Sequence, residues 1–282
     1  MSCTANNSVQ DNNYQILHGD CREKLHSFSN QVDLIVTSPP YADARQSHYD
    51  SIAPSDYSNW FMSFHEVFWL ALKSRGSLVL NMKDKIVRGV RQHYVWETIE
   101  KLIALGWYCI DDYIWHKKTC MPGYWPTRLR DAWEYVFHLA KVKKPYVNHK
   151  AVKIPIALST QQRILQLDKL KRRFVSSNTG SGFQRDLKNW RDKKQVLPTN
   201  VLHLCPENRN QGHPAAFPVE LPKFFIQLLS KPNDLIADPF AGSGTTAVAA
   251  LSLGRRCILI DNQLDYCRTA EQRLSHVNKE EC

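Results

Sequence analysis

The amino-acid sequence predicts an α/β protein with a doubly wound, mostly parallel sheet. Apolar runs are short and alternate with longer stretches of helical spacing, which is typical of a parallel sheet with helices on both faces. The chain of 282 residues, 43% of them hydrophobic, is long enough for one α/β domain plus an insertion. A single region, residues 142–211, breaks the alternation and is the candidate insertion.

The predicted elements follow in chain order after a polar tail, residues 1–13. Short apolar runs bounded by polar or turn residues predict strands at 14–18, 32–36, 77–82, 107–115, 134–140, 235–237 and 257–260. Apolar residues at helical spacing predict helices at 57–73, 94–105, 219–229, 245–253 and 263–275. Residues 14–141 and 212–282 are therefore expected to form two halves of one domain.

The positive charge is concentrated where the α/β pattern breaks. The whole chain has a formal net charge of +10, whereas residues 141–200 alone contain fifteen basic and three acidic residues. The remainder is slightly acidic, so the basicity is a regional feature. Clustered basic residues favour a polyanionic partner such as nucleic acid, because they displace counterions from phosphates. A solvated helical face is the alternative interpretation.

The cysteines and the N-terminus bear on the cellular compartment. Eight cysteines are scattered without a CxxC pair, which argues against a zinc site and against the disulfide framework of a secreted protein. The N-terminus lacks the apolar core of a signal peptide, and no run approaches the roughly 20 apolar residues of a membrane span. We therefore expect a cytoplasmic protein with no metal centre and no membrane contact.

A glycine motif follows the predicted strand at 235–237. It consists of Asp238, Pro239, Phe240, Ala241, Gly242, Ser243, Gly244, Thr245 and Thr246. A strand, a glycine turn and a helix N-terminus let backbone N–H groups approach a nucleotide-like ligand without an intervening Cβ. Thr245 stands where a Walker loop has lysine, which disfavours NTP hydrolysis. Asp261, at the end of the next apolar run, is suited to accept hydrogen bonds from ribose hydroxyls.

A second motif, Thr37-Ser38-Pro39-Pro40-Tyr41, ends the predicted strand at 32–36. Consecutive prolines fix an extended backbone and donate no hydrogen bonds, so carbonyl groups are left free to accept. Ser38 and the Pro39 carbonyl can together accept both protons of an amino group, while Tyr41 offers a face for a planar base. Open α/β sheets bind ligands at the carboxyl ends of their strands, which favours a functional loop over a structural turn.

Together these motifs resemble the DNA amino-methyltransferases of bacterial restriction-modification systems. The resemblance is to their β arrangement, in which TSPPY precedes the cofactor motif, and it runs from about Tyr14 to Tyr266. Other matching segments are Gly19-Asp20, Trp133-Glu134-Tyr135-Val136-Phe137 and His213-Pro214-Ala215-Ala216-Phe217-Pro218. Residues 142–211 are largely unmatched, as expected for a variable target-recognition region.

The resemblance implies a seven-stranded sheet with its last strand reversed, and S-adenosylmethionine as cofactor. It implies that the glycine motif surrounds the methionine part of the cofactor, that Asp20 and the backbone of Cys21 meet its adenine ring, and that Asp261 holds its ribose. The family usually has Glu at the ribose position, one methylene longer than Asp261. Phe240 is expected to support the catalytic loop. Residues 14–141 then form the catalytic half and 212–282 the cofactor-binding half.

The catalytic residues implied by the resemblance are Ser38, Pro39, Pro40 and Tyr41. When Ser38 and the Pro39 carbonyl accept the amine protons, the nitrogen becomes pyramidal and its lone pair can attack the methyl group in line, so positioning supplies the rate. The amine is paired in duplex DNA, so its base must be flipped out. Cytosine C5 methylation needs a cysteine nucleophile, and its Pro-Cys dipeptide is absent from the sequence.

The position before the prolines distinguishes the candidate reactions. Family members with Ser at this position usually act on cytosine, so methylation at N4, the exocyclic amine of cytosine, is favoured over methylation at N6 of adenine. An RNA substrate and a catalytically inactive DNA-binding protein on the same fold are further alternatives. The aromatic residues at helical spacing are interpreted as core: Trp60, Phe61, Phe64, Phe68 and Trp69.

Basic residues near the second motif and in the basic region are candidates for contacts with double-stranded DNA. They are Arg45, His48, Arg128, Arg130, Lys171, Arg172, Arg173 and Arg185. A cognate restriction endonuclease is expected to act on the same DNA site and need not bind the enzyme. The chain is expected to be a monomer or a homodimer.

Overall fold

The computed structural model describes residues 8–10, 13–43, 52–120, 122–169, 193–207 and 217–280. The chain divides into two compact units. One consists of Met1–Asn148 together with Asn200–Cys282, and the other is His149–Thr199. The large sheet belongs to the first unit, which also contains both motifs identified in the sequence.

The described residues form the following strands and helices. The strands are β1 (Ser8–Gln10), β2 (Tyr14–His18), β3 (Val32–Thr37), β4 (Leu72–Met82), β5 (Lys85–Val87), β6 (Val90–Gln92), β7 (Tyr108–Lys117), β8 (Trp133–Ala140), β9 (Ile154–Pro155), β10 (Gln195–Val196), β11 (Val201–Leu204), β12 (Leu235–Asp238) and β13 (Arg256–Asp261). The α-helices are α1 (Cys21–Lys24), α2 (Pro54–Ala71), α3 (Tyr94–Ala104), α4 (Leu158–Lys169), α5 (Glu220–Leu229), α6 (Thr245–Leu251) and α7 (Leu264–Glu280).

The large sheet has the strand order β1-β2-β13-β12-β3-β4-β8-β7-β11. Its five adjacent strands from β2 to β4 are parallel. Strand β8 is antiparallel to both of its neighbours, and β1 is antiparallel to β2. Strand β12 is buried over its whole length, which is typical of a parallel sheet covered on both faces. The five parallel strands therefore end at one edge of the sheet.

All seven predicted strands are present. In six of them, both the first and the last residue lie within two residues of the predicted bounds. Strand β4 begins at Leu72 instead of residue 77, because its polar first part pairs with β3 across a register irregularity between Val32 and Leu34. The predicted helices are also confirmed. Helix α2 begins at Pro54, earlier than the predicted residue 57, since proline suits a first helical turn.

Within the described residues the sheet has nine strands, which corrects the expected seven, because β1 and β11 extend its two edges. The expectation that the last strand is reversed also needs correction: the reversed inner strand is β8, which precedes β12 and β13 along the chain. This position follows from the chain order, since the half with Ser38 to Tyr41 (the SPPY loop) comes before the half with the glycine motif. Strand β11 pairs with β7 although it lies within the predicted region 142–211.

Aromatic side chains of α2 pack beside the glycine motif. Phe61, Phe64 and Phe68 are buried, and Trp60 and Trp69 are partly buried against the same core. The prediction that these five residues belong to the core is therefore confirmed. The ring of Phe240 contacts this cluster, with its centroid 5.2 Å from that of Phe64, so Phe240 anchors the start of the glycine motif to α2.

The smaller unit contains an antiparallel pair formed by β9 and β10, together with α4. Several residues predicted to contact DNA lie outside the described residues: Lys171, Arg172, Arg173 and Arg185 of the basic region, and Arg45 and His48 after the SPPY loop.

Candidate active site

The glycine motif and the SPPY loop (Ser38 to Tyr41) lie at the same edge of the sheet. Strand β3 ends at Thr37 and strand β12 ends at Asp238, and the two strands are parallel neighbours. Residues that are 201 positions apart in the sequence thereby come into contact. This is the edge at which open α/β sheets bind ligands.

Asp238 connects the two motifs. Its Oδ1 accepts hydrogen bonds from Thr37 Oγ1 at 2.6 Å and from the Phe240 N–H at 3.2 Å, and its Oδ2 accepts from Thr246 Oγ1 at 2.5 Å. Only 1% of the residue is exposed. Burial raises the pKa of this carboxyl from 3.8 to about 6, against the opposing effect of its hydrogen bonds. The carboxylate thus accepts hydrogen bonds from three protein donors, and Asp238 stabilises the contact between the two motifs.

The turn of the glycine motif depends on two left-handed residues. Gly242 has φ 50° and Gly244 has φ 78°, conformations that favour glycine. A Cβ at Gly244 would lie 3.0 Å from the Ala270 Cβ and 3.3 Å from a methyl group of Leu259. The reason for glycine at 244 is therefore close packing against α7 and β13, which differs from the ligand approach expected from the sequence.

Asp261 holds the same turn from the end of β13. Its Oδ2 accepts the Gly242 N–H at 2.8 Å, and its Oδ1 accepts the Gln263 N–H at 2.9 Å. The residue is buried, and burial raises the pKa of its carboxyl. Each oxygen keeps a second lone pair, so the carboxylate can also accept hydrogen bonds from ligand hydroxyls.

The segment after β2 lies beside Asp261, because the Gly19 N–H donates to the Asp261 carbonyl at 2.9 Å. Asp20 accepts the Arg22 N–H at 2.8 Å and so caps α1. The Arg22 guanidinium also donates to this carboxylate and lowers the pKa of Asp20. Cys21 is buried, and burial raises the pKa of its thiol. The residues expected to meet the adenine and ribose are thereby brought together.

Arg273 of α7 donates hydrogen bonds to the turn of the glycine motif. The sequence patterns do not identify this residue. Its Nη1 donates to Thr245 Oγ1 at 3.0 Å, to Ser243 Oγ at 3.3 Å and to the Ser243 carbonyl at 3.5 Å. Burial lowers the pKa of Arg273. A basic residue in a helix is too common a feature to indicate this contact.

The SPPY loop leaves Ser38 half-buried and accessible, whereas Pro39 is buried. The Ser38 hydroxyl lies 3.4 Å from the Tyr41 hydroxyl oxygen. The Tyr41 hydroxyl donates to Glu134 Oε2 at 2.6 Å. Burial, and then the charge of Glu134, hold the pKa of Tyr41 well above its ordinary value, so the phenol keeps its proton.

Glu134 is a second residue whose contacts sequence reasoning does not predict, although the stretch from Trp133 to Phe137 supports the resemblance. Its side chain, on β8, is only 5% exposed. Asn81 Nδ2 donates to its Oε2 at 3.2 Å, and Lys117 Nζ donates to its Oε1 at 2.6 Å. Three strands and the SPPY loop therefore meet at this one carboxylate.

Two of the predicted DNA-contact residues lie in the loop between β7 and β8. The Arg128 guanidinium stacks over Trp125, 4.7 Å from a ring centroid, and lies 3.5 Å from the Asp131 carboxylate. Arg130 is exposed. The loop leads directly into Glu134 and hence towards the SPPY loop.

The described residues contain no group of three or more His, Cys, Asp or Glu side chains arranged to hold a metal ion. Their cysteines are free thiols, three of which, Cys21, Cys257 and Cys267, are buried. None of the helices in this part of the chain has the length and apolar character needed to cross a membrane.

Comparison with known proteins identifies the family. The model of the family described as DNA methylase matches residues 32–272. The type II methyltransferase M.PvuII of Proteus hauseri is 29% identical over 273 residues, covering 88% of this chain and 80% of that protein. The solved structure of the PvuII DNA methyltransferase, named as cytosine-N4-specific, has a TM-score of 0.71 at 25% identity and covers 94% of this chain and 87% of that one. A DNA modification methylase of Thermus thermophilus, solved with S-adenosyl-L-methionine, has a TM-score of 0.60 at 23% identity, covering 93% of each chain. The chain therefore belongs to the DNA methylase family.

Proposed function

We propose that the protein is a site-specific methyltransferase that transfers a methyl group from S-adenosylmethionine to N4 of cytosine in duplex DNA. The observation that carries this proposal is the Asp238 carboxylate, which accepts hydrogen bonds from Thr37, directly before the SPPY loop, and from Thr246 of the glycine motif. One buried group thereby holds an amine-accepting loop beside a nucleotide-type turn. Methyl transfer needs this arrangement, because the two reactants must be held in line.

The residues at the ends of β2, β12 and β13 fit S-adenosylmethionine. The free lone pairs of Asp261 suit ribose hydroxyls, and the turn around Gly242 would enclose the methionine part. Asp20 and the backbone of Cys21 would meet the adenine ring. When bound, the cofactor supplies an electrophilic methyl group on its sulfonium sulfur.

The SPPY loop would receive the flipped base. Ser38 Oγ and the Pro39 carbonyl would accept hydrogen bonds from the two amine N–H groups, which favours a pyramidal nitrogen. Its lone pair would attack the methyl group as the bond from that group to sulfur breaks, and the methylated nitrogen would then release one proton. Pro40 keeps the backbone extended. The Tyr41 ring stacks on the base and offsets part of the cost of flipping, about 1 to 3 kcal/mol for one stacked base.

Cytosine is the favoured target because Ser38 occupies the first position of the motif. The relative named as cytosine-N4-specific supports the same choice. N6 of adenine is the alternative within the family. A DNA-binding protein without catalysis is the alternative of a different class, and the complete motifs, with Ser38, Gly242 and Gly244 in place, weigh against it.

The candidate DNA contacts are the basic residues predicted from the sequence. Arg128 and Arg130 approach from the loop between β7 and β8, and Arg45 and His48 follow the SPPY loop. The proposed target-recognition region, 142–211, contributes Lys171, Arg172, Arg173 and Arg185. The enzyme would act in the bacterial cytoplasm as a monomer or homodimer. There it would protect the DNA site recognised by a cognate restriction endonuclease, which need not bind it.

The decisive test is expression in a host without DNA methylation, followed by sequencing that distinguishes N4-methylcytosine from N6-methyladenine. We expect N4-methylcytosine at one defined sequence, and its absence with the Ser38→Ala variant. N6-methyladenine at a defined site would overturn the choice of base. Unmodified DNA, together with intact binding of both S-adenosylmethionine and DNA, would favour the non-catalytic alternative.

A further inference from the structure

The Glu134 carboxylate has a set of donors that fixes its role as an acceptor. It receives Tyr41 and Asn81 at Oε2 and Lys117 at Oε1. The Lys117 ammonium also lies 4.9 Å from the Trp115 ring centroid, so it is held on two sides. Asn81 donates in addition to the Tyr135 carbonyl at 3.1 Å, which orients its amide. The carboxylate is therefore rigidly placed and can only accept.

This arrangement determines the direction of the hydrogen bond between Tyr41 and Ser38. A phenol has one proton, and at 2.6 Å the Tyr41 proton lies in a short, charge-assisted bond to Glu134. Towards Ser38, 3.4 Å away, the Tyr41 oxygen can then only accept. The Ser38 proton therefore points to Tyr41, and the lone pairs of Ser38 Oγ are left for another donor.

We propose that Glu134 is a positioning residue that, through the Tyr41 hydroxyl, orients the Ser38 hydroxyl so that its oxygen accepts a hydrogen bond from the target amine. This inference rests on the proposed function, in which Ser38 receives that amine. We call the two hydrogen bonds, from Ser38 to Tyr41 and from Tyr41 to Glu134, the relay. Without it, the Ser38 hydroxyl can rotate and donate a hydrogen bond to the amine nitrogen. That bond would engage the lone pair that must attack the methyl group. Tyr41 thus orients the Ser38 hydroxyl in addition to stacking on the base.

The first test is Tyr41→Phe, which keeps the stacking ring and removes only the oxygen that receives the Ser38 proton. We expect the single-turnover methylation rate to fall about tenfold, the effect of losing roughly one hydrogen bond. Affinities for S-adenosylmethionine and cognate DNA should stay within about twofold of wild type. A stacking role alone would leave the rate of Tyr41→Phe close to wild type, and that result would overturn the proposal.

A double-mutant cycle shows whether Glu134 acts through Tyr41. Glu134→Ala should lower the single-turnover rate about as much as Tyr41→Phe, and Glu134→Gln, whose amide oxygen can still accept, should recover part of it. Combined with Tyr41→Phe, either Glu134 variant should cause little further loss, because residues in one chain of contacts are not additive. Multiplied effects in the double variants would overturn the relay.

Asp33→Asn is the matched control. Asp33 also pairs with a lysine, Lys73 at 2.8 Å, but it lies near the start of β3, away from the SPPY loop. Its loss should leave the single-turnover rate unchanged.

If Glu134→Ala does not fold, as a thermal melt would show, Tyr41→Phe and Glu134→Gln complete the test. Ser38→Ala and wild type separate the two hypotheses: an active Ser38→Ala enzyme refutes the role of Ser38 on which this inference rests, and an inactive one beside a fully active Tyr41→Phe refutes only the relay. Wild-type protein that leaves DNA unmodified refutes the proposed function itself.

Discussion

Replacing Asp238 with Asn should change how the stability of the protein depends on pH. Asp238 is 1% exposed, and burial raises its pKa in the folded protein from 3.8 to about 6. The folded state therefore binds this proton more tightly than the unfolded state. Lowering the pH through about 6 stabilises wild type, and the gain is complete below the unfolded pKa of 3.8. The variant has no ionisable side chain at position 238. Only the wild-type protein therefore gains stability from protonation at this position.

The size of the effect follows from the difference between the two pKa values. A shift from 3.8 to about 6 corresponds to about 3 kcal/mol in full. Between about pH 7.5 and about pH 4.5, the free energy of unfolding of wild type should therefore rise by about 2 kcal/mol relative to Asp238→Asn. Taking the difference between the two proteins removes the contribution of the shared titrating groups that do not interact with Asp238.

The assay is urea unfolding of both proteins without cofactor, at several pH values in this range. The midpoint and slope of each curve give the free energy of unfolding. A difference between wild type and variant that stays constant over the range, or that shifts in favour of the variant as the pH falls, would refute the assignment of a raised pKa to Asp238.

Three further predictions concern the turn and the DNA surface. Gly242→Leu should abolish binding of S-adenosylmethionine in calorimetry, because φ 50° and the space beside the cofactor both exclude a side chain; unchanged affinity in a folded variant would contradict this. Arg273→Met should weaken that binding severalfold while DNA affinity stays unchanged, because the turn loses its hydrogen bonds to Ser243 and Thr245; equal losses for both ligands would indicate a general effect on folding. Arg130→Gln should reduce the salt dependence of DNA binding by about 0.9 log unit for one lost phosphate contact. Lys101→Gln is the control. Because Lys101 donates a hydrogen bond to Ser58 of α2, its replacement should leave this slope unchanged.

The sheet could be predicted from the sequence because its signals are local. Each inner strand is an apolar run bounded by polar residues, as 257–260 is within Arg256–Asp261. Strand β11, Val201–Leu204, is not predicted because it has only four residues, two of them exposed, and lies in a basic region whose composition indicates an insertion. Helix α1, Cys21–Lys24, is likewise too short to show helical spacing.

The motifs of the candidate site could be predicted, but the contacts that hold them could not. Glu134 is visible only as part of a matching stretch, since its partners Tyr41, Asn81 and Lys117 come from other segments of the chain. A hydrogen bond such as that from Thr37 to Asp238 joins residues 201 positions apart, and no periodicity in the sequence indicates it. Such contacts follow from the strand order, which the apolar pattern alone does not determine.

The strand order also explains why a buried charge is found at Asp238. Because β3 and β12 are neighbours, the two motifs end side by side and need a group that can bind both. A carboxylate can accept the hydroxyl protons of Thr37 and Thr246 together with the Phe240 N–H, whereas an apolar side chain would leave all three donors unpaired. Its pKa of about 6, the net result of burial and these three hydrogen bonds, corresponds to a folded state less stable by about 3 kcal/mol at neutral pH than one in which the pKa is normal. Each of the three donors, left buried without a partner, would cost about 1 to 3 kcal/mol, so the carboxylate is the less unfavourable choice.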